Sequence, residues 1–313
     1  MPGMDAVAGL LDGPRAREAF LLRASLEPPW SMDVVDEAPL TVVAMVSGTA
    51  ESTSADGRRD SLGPGDVIVY RGPDHYSLAD AVDTPVQVVI HPDQVCATPD
   101  GQELKGMGEL GVRTWGNAAD GSTVMLVGTY NLEGEVSGRL LRALPSVLVL
   151  REDEWDCPVI PLLATEIVKD EPGQEAVLDR LLDLLLIAVL RAWFGRDDAP
   201  GWYRAYGDPV VGRALRLMHN TPSHPWTVAE LARESGASRA ALARRFQDLV
   251  GEPPMAFLTG WRIALAADLL REPGATVGSV AHQVGYGSPF ALSTAFKRLR
   301  GMSPQAHVTM FAA

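Results

Sequence analysis

The chain has 313 residues, 46% apolar and 21% charged, with a net charge of −13; this is the composition of an ordinary globular protein long enough for two cores. The longest strongly apolar run, Leu181 to Leu190, is broken by Asp183 and is too short to cross a bilayer, so no membrane partner is expected. Met1 to Leu11 carries Asp5 and no basic region before its apolar residues, unlike a signal peptide, and two cysteines, Cys96 and Cys157, cannot build a disulfide framework; a reducing cytoplasm is expected. The charge is uneven. From residue 200 onward 12 Arg/Lys stand against 7 Asp/Glu, a net of +5, whereas the first 199 residues carry 15 and 33, a net of −18. Halves of opposite sign suggest one part that meets phosphate and one that does not.

Up to about Leu150 the chain reads as short strands between turns. Leu40 to Val46 is a continuous apolar run, Val67 to Tyr70 follows a Gly63-Pro64-Gly65-Asp66 turn, Pro85 to Ile90 contains PVQVVI, and Thr123 to Val127 and Val147 to Leu150 add β-branched runs. Many short strands with Gly, Pro and Asp between them predict a sandwich or barrel. Residues 158–196 read as helical. Pro161 to Val168 forms one helix and Glu171-Pro172-Gly173 a turn. Gln174 to Phe194 then places Val177, Leu178, Leu181, Leu182, Leu185, Leu186, Val189 and Leu190 at helical spacing, with Arg180, Asp183 and Arg191 on the polar side. These helices can cap the sheet, form a homodimer face, or both. Asp197 to Asp208, DDAPGWYRAYGD, has the Pro, Gly and Asp content of a linker, placed at 200–208, although Trp202, Tyr203 and Tyr206 suit a docked segment.

Residues 209–313 read as helices throughout. In residues 228–250, VAELARESGASRAALARRFQDLV, Val228, Leu231 and Ala232 face inward, Gly236 ends the first helix, and Ser238 caps the next. Thr227 stands three before Glu230, as in a capping box. Leu242, Phe246, Leu249 and Val250 form the buried stripe of the second helix, opposite Arg239, Ala240, Ala243, Arg244 and Gln247. The small residues let a helix sit deep in the major groove, where Arg244 can reach guanine and Gln247 adenine. The same grammar returns in residues 277–299, VGSVAHQVGYGSPFALSTAFKRL. Val277, Val280 and Ala281 point inward, Gly285 makes the turn, and Ser288 caps with Pro289 at the first helical position. Leu292, Phe296 and Leu299 make the stripe, with Pro289, Phe290, Ser293, Thr294 and Lys297 opposite. Between the units, Pro254 to Arg271 spells a helix of about 27 Å, close to the ~34 Å between successive major-groove segments.

With WTVAELARESGASRAALARRFQDLVGEPPMAFLTGWRIALAADLL (226–270) and VAHQVGYGSPFALSTAFKRLRGMSP (280–304), residues 209–307 resemble the DNA-binding domain of AraC/XylS-type bacterial regulators. Gly285-Tyr286, Ala295-Phe296-Lys297-Arg298, Gly301 and Ser303-Pro304 carry the match. The resemblance implies two helix-turn-helix units and base contacts at Arg239, Ala240, Ala243 and Arg244, then at Pro289, Phe290, Ser293 and Thr294. The chain departs from the family's usual pattern at Gly287, Pro289 and Phe290, where acidic or polar residues are common, at Thr294, where Arg is common, and at Ala306-His307. The second helix therefore lacks a long bidentate donor. That leaves thymine-methyl contact, phosphate contact through Lys297 and Arg298 beside the Ser288 cap, or shape readout.

Leu62 to Asp80, LGPGDVIVYRGPDHYSLAD, resembles the cupin-like sensor domains that precede this DNA-binding domain, and Gly201 to Pro222 matches their junction. The whole is then α+β. Residues 1–199 form a cupin-like β-sandwich or barrel with a helical dimerisation segment, and residues 209–313 an all-α double helix-turn-helix domain. A metal-dependent cupin needs a His-x-His pair with a Glu and a further His. Only His75 and His91 occur in the first 199 residues, neither with a His two positions away, so no metal, cofactor or catalytic site is expected. Tyr70, His75, Trp115 and Tyr130 have polar tips that can orient a small effector. The expected function is sequence-specific transcription regulation on a double-stranded operator, as a homodimer answering to that effector and touching RNA polymerase if it is an activator. The alternatives are redox sensing through Cys96 and Cys157, and a catalytic or ligand-binding cupin with a helical tail. Asp156 beside Cys157, and the lack of basic neighbours at Cys96, argue against low thiol pKa values.

Overall fold

A computed structural model describes residues 20–104, 110–130, 141, 144–196, 199 and 201–311. The reading of Met1 to Leu11 lies outside the described residues, as do Asp197, Asp198, Pro200 and the Trp202 side chain of the linker reading. The described chain forms two units, residues 20–130 with 141–193, and residues 194–311.

The first unit is two facing six-stranded sheets. One takes β1 (Phe20–Leu26), β3 (Leu40–Ser47), β6 (Val67–Arg71), β10 (Thr114–Gly116), β11 (Thr123–Tyr130) and β12 (Val147–Leu150), in the order β10-β1-β11-β3-β6-β12. The other takes β2 (Ser31–Val34), β4 (Ala50–Ser54), β5 (Arg59–Leu62), β7 (Tyr76–Ala79), β8 (Val88–Ile90) and β9 (Cys96–Ala97), in the order β5-β4-β7-β2-β8-β9. Alternation sends Ala24, Val43, Met45, Ile68 and Met125 from the first sheet against Met32, Val34, Leu62 and Leu78 from the second, all buried in one core. The Gly63–Asp66 turn is held by its own carboxylate. Asp66 accepts from the backbone N–H groups of Gly63 at 3.0 Å and Glu152 at 2.9 Å, and pairs with Arg151 at 2.9 Å.

Two helices follow, α1 (Val159–Glu166) and α2 (Gln174–Phe194). Gly128 and Tyr130 of β11 face α2. Gly128 lies so close that a Cβ there would meet Leu182 Cδ1 at 2.5 Å, and Tyr130 donates its hydroxyl to the Leu182 carbonyl at 2.8 Å. Leu178, Leu182, Leu185, Leu186 and Val189 are buried; Val177 and Leu184 on the other side remain 43% and 47% exposed. The apolar stripe thus has two sides, one spent on the sheet and one left to solvent in this chain.

The second unit is helical: α3 (Gly201–Gly207), α4 (Val211–Asn220), α5 (Val228–Glu234), α6 (Arg239–Val250), α7 (Pro254–Leu269), α8 (Val277–Gln283), α9 (Pro289–Arg300) and α10 (Pro304–Phe311). Residues 201–207 are helical in spite of Gly201, Gly207 and the adjoining Asp208. Ala205 is fully buried among Val211, Leu215, Leu242 and Phe246, and that packing overrides local propensity. Helix α7 is shared by two cores. Its first half gives Phe257 and Leu258 to the core of α4, α5 and α6, and its second half gives Ile263, Ala266 and Ala267, with Leu270 just past its end, to the core of α8 and α9. His307 of α10 is buried, bonded through Nε2 to the Ala267 carbonyl at 3.1 Å and edge-on to Phe296. It therefore closes the second core. Leu299 does not join the buried stripe of α9: it is 50% exposed, because Leu292 and Phe296 already fill the groove against α7.

Candidate nucleic-acid interface

Two short-helix, turn, long-helix units stand on either side of α7. In each, Ser caps the second helix: Ser238 Oγ accepts from Ala241 N–H and Ser288 Oγ from Ala291 N–H, both at 3.2 Å. The turns need glycine for different reasons. Gly236 has φ +70° with open space around it, so only its backbone angle excludes a side chain. Gly285 has φ +85°, and a Cβ there would also sit 2.7 Å from the Ser223 backbone, so the second turn is pressed against the loop before α5. The first helices are also capped differently. Thr276 and Ser279 form a complete reciprocal capping box on α8. Thr227 accepts from Glu230 N–H, but the Glu230 carboxylate turns to His224 Nε2 at 3.0 Å rather than back to the cap.

The second helices, α6 and α9, are each 12 residues long and present matching faces. On α6, Arg239, Ala240 and Arg244 are exposed and Ala243 is half-buried, while Leu242 and Phe246 anchor the other side. Arg239 and Arg244 form no ion pair among the described residues. Arg245, one position on, is instead held by Asp208 at 2.8 Å. Gln247 folds back, its amide donating to the Gly251 carbonyl at 2.7 Å, so reaching a base requires it to release its own helix end. On α9 the same positions carry Pro289, Phe290, Ser293 and Thr294. Thr294 Oγ1 donates to the Phe290 carbonyl at 2.9 Å, and Phe290 is 81% exposed. Lys297 and Arg298 are exposed at the far end of this helix.

In the first unit the four candidate effector residues do not converge. Tyr70 is buried, stacked on Tyr76 and bonded to Ser52 Oγ at 2.7 Å, and burial pushes its hydroxyl pKa up. His75 is exposed beside Tyr70 at a small cleft with Arg71 and Asp74. The Tyr130 hydroxyl is spent on α2. Of the four, Trp115 alone lines a cavity of about 80 Å³ between the two sheets. That cavity is walled by Leu22, Ala24, Met32, Val34, Leu78 and Val127, side chains that read in the sequence as ordinary core. Asp36, Gln94 and Cys96 add polarity, and the Trp115 indole N–H is buried beside the Cys96 thiol. The cysteines occupy separate places, Cys96 in this cavity and Cys157 beside Met45 and Trp155. Burial pushes both thiols up. The Trp115 indole acts in the opposite sense at Cys96. At Cys157 the Val159 and Ile160 N–H groups pull down and Asp156 adds to the rise. Neither thiol is activated as a thiolate. Among the described residues no three His, Cys, Asp or Glu side chains group to hold a metal ion, and no helix is long and apolar enough to cross a membrane.

Residues 5–195 match the family model described as Cupin, and residues 231–309 the one described as Helix-turn-helix domain. A putative AraC-like transcription regulator of Streptomyces antibioticus is 37% identical over 219 residues, 68% of this chain and 71% of the relative. Another putative AraC-like transcription regulator, from Streptomyces lividans, is 36% identical over 236 residues, 72% and 77% of the two chains. The HTH-type transcriptional regulator AlkR of Acinetobacter baylyi aligns nearly end to end, 28% identical over 310 residues, 96% of this chain and 98% of the relative. With its cupin-like first unit and its paired helix-turn-helix second unit, the chain belongs to the AraC-like transcription regulators, sequence-specific DNA-binding proteins.

Proposed function

We propose that the chain is a cytoplasmic, non-catalytic regulator that reads a two-part operator with α6 and α9 and answers to an apolar small molecule held between its sheets. The observation that carries the DNA reading is the pair of Ser-capped helices with solvent-facing sides, mounted on one shared helix. Arg239 and Arg244 would read bases from α6, with Ala240 and Ala243 allowing close approach and Gln247 adding a contact once released. Ser288, Pro289, Phe290, Ser293 and Thr294 would meet the groove from α9, and Lys297 and Arg298 the phosphates. The inter-sheet cavity supports the effector reading: its walls are apolar, and the Trp115 indole and Cys96 thiol beside it offer a polar edge. Tyr70, His75 and Tyr130 are less suited to that task than Trp115. Domain roles follow the order of the chain, with sensing and pairing in residues 1–199 and operator binding in residues 209–313. The exposed Val177 and Leu184 side of α2 supports a homodimer, and contact with RNA polymerase would follow if the protein activates. Ligand in the cavity regulates only by favouring one arrangement of the protein over another.

The test has two arms. Selection of bound fragments from genomic DNA with the full chain should return one recurring motif. Tryptophan fluorescence and thermal shift against a panel of small apolar compounds should find a ligand that Ala24→Leu, a cavity-filling change, no longer binds while DNA binding persists. A selection that returns no motif refutes the first arm, and equal ligand binding by the Ala24→Leu chain refutes the second.

A further inference from the structure

The two reading helices carry opposite chemistries at matching positions. Where α6 has Arg239, Ala240 and Arg244, α9 has Pro289, Phe290 and Thr294. No side chain on the first two turns of α9 offers a long hydrogen-bond donor, and the Thr294 hydroxyl proton is committed to the Phe290 carbonyl. Phe290 is 81% exposed, the most exposed large apolar side chain among the described residues, whereas the other aromatic ring of this helix, Phe296, is fully buried. An aromatic ring left in water at the second position of a helix contributes nothing to the fold. Its surroundings identify what covers it. Lys297 and Arg298 lie two turns along the same helix, exposed and without ion pairs among the described residues, and the chain from residue 200 onward has a net charge of +5. A polyanion that binds there brings α9 end-on toward its bases. The apolar feature that the major groove presents is the thymine 5-methyl group.

We infer that Phe290 is a specificity-determining residue that reads thymine methyl groups, so that the operator half under α9 is recognised by apolar contact while the half under α6 is recognised by guanidinium groups. This rests on the DNA-reading function proposed above and adds the chemistry of the base read. It predicts an asymmetric operator: one part intolerant of losing a guanine, the other intolerant of losing a methyl group. Burying one methyl is worth about a fourfold change in affinity.

The experiment uses the full chain and the motif obtained by selection from random duplex DNA. Thymines are replaced one at a time by deoxyuridine, which keeps every hydrogen-bonding group and removes only the methyl. At one or two thymines in the α9 half, affinity should fall about fourfold each for the unmodified protein. Phe290→Ala should bind the thymine and deoxyuridine operators equally, and Phe290→Leu, which keeps an apolar tip, should retain part of the discrimination. At 81% exposure neither variant should shift the thermal midpoint, which serves as the check on folding. Failure to select any motif overturns the DNA-reading function itself. A motif whose α9 half lacks thymine, or whose thymines can all become deoxyuridine without loss, overturns the role of Phe290 alone, as does a full deoxyuridine penalty in Phe290→Ala. A Phe290 that docks protein rather than DNA gives the same methyl-independent result.

Discussion

The guanidinium of Arg262 lies 6.0 Å from the centre of the Tyr286 ring, and the same group donates to the carbonyls of Pro222 and His224, both at 2.7 Å. One side chain of α7 thus joins the loop before the first helix-turn-helix to the turn of the second. Arg262→Ala removes two charge-assisted hydrogen bonds and should cost about 2 kcal/mol of stability. Arg262→Lys should recover little, because an ammonium lacks the planar fork that spans two carbonyls. Urea unfolding of the three proteins measures this; equal midpoints would mean that the link carries no weight.

The turn glycines should separate under the same substitution. Gly236→Ala meets only the left-handed backbone penalty, about 1–2 kcal/mol. Gly285→Ala meets that penalty plus overlap with the Ser223 backbone, which a Cβ would approach to 2.7 Å, for a total of about 2–4 kcal/mol. Equal losses in chemical unfolding would contradict the close approach of the two units.

On α2, the buried and exposed sides of the leucine stripe predict different failures. Replacing Val177 and Leu184 by Glu touches the side that is 43–47% exposed and should give folded monomers, seen by sedimentation as halved mass with an unchanged melting point. Leu185→Glu places a carboxylate at a position only 1% exposed and should unfold the sheet unit instead. If the unmodified chain is monomeric at micromolar concentration, α2 does not pair.

Acid should loosen the helical unit through Asp208. Burial raises its pKa, but the N–H groups of Val211 and Val210 and the Arg245 guanidinium outweigh this and hold it below the usual 3.8. A carboxyl with a depressed folded pKa contributes fully above its unfolded value, and the contribution is lost as pH falls through the folded value. Asp208→Asn should therefore be about 1 kcal/mol less stable at pH 7, and the gap should close on acidification below pH ~4. A gap that is constant with pH would place the effect elsewhere.

The helical unit was largely legible in the sequence because its signals are local. Ser238 and Ser288 cap, Gly236 and Gly285 turn, and Leu242, Phe246, Leu292 and Phe296 keep one face, all within a few residues of one another. The strand β4 was not legible. Its inward residues are Ala50, Ser52 and Ser54, with Ser52 buried against the Tyr70 hydroxyl at 2.7 Å, so an apolar periodicity count finds nothing. Helix α3 reads as a linker in the sequence because its burial comes from residues far along the chain. Tyr70 and Tyr130 read as effector candidates by their polar tips, yet both use those tips inside the fold. The cavity is walled by residues whose sequence pattern is that of any sandwich core, and only the spacing between sheets reveals it.

Arg244 is the side chain on which base reading by α6 most depends, since it is exposed, unpaired among the described residues and set one turn beyond Ala240. The most direct measurement compares the full chain and Arg244→Ala on the selected operator and on random duplex across a salt series. The unmodified chain should prefer the operator by about 10³-fold or more. Arg244→Ala should lose about 1–3 kcal/mol on the operator and much less on random DNA, with that loss confined to one guanine position. Equal affinity of the unmodified chain for operator and random duplex, or an equal loss on both for Arg244→Ala, would contradict sequence-specific reading by this helix.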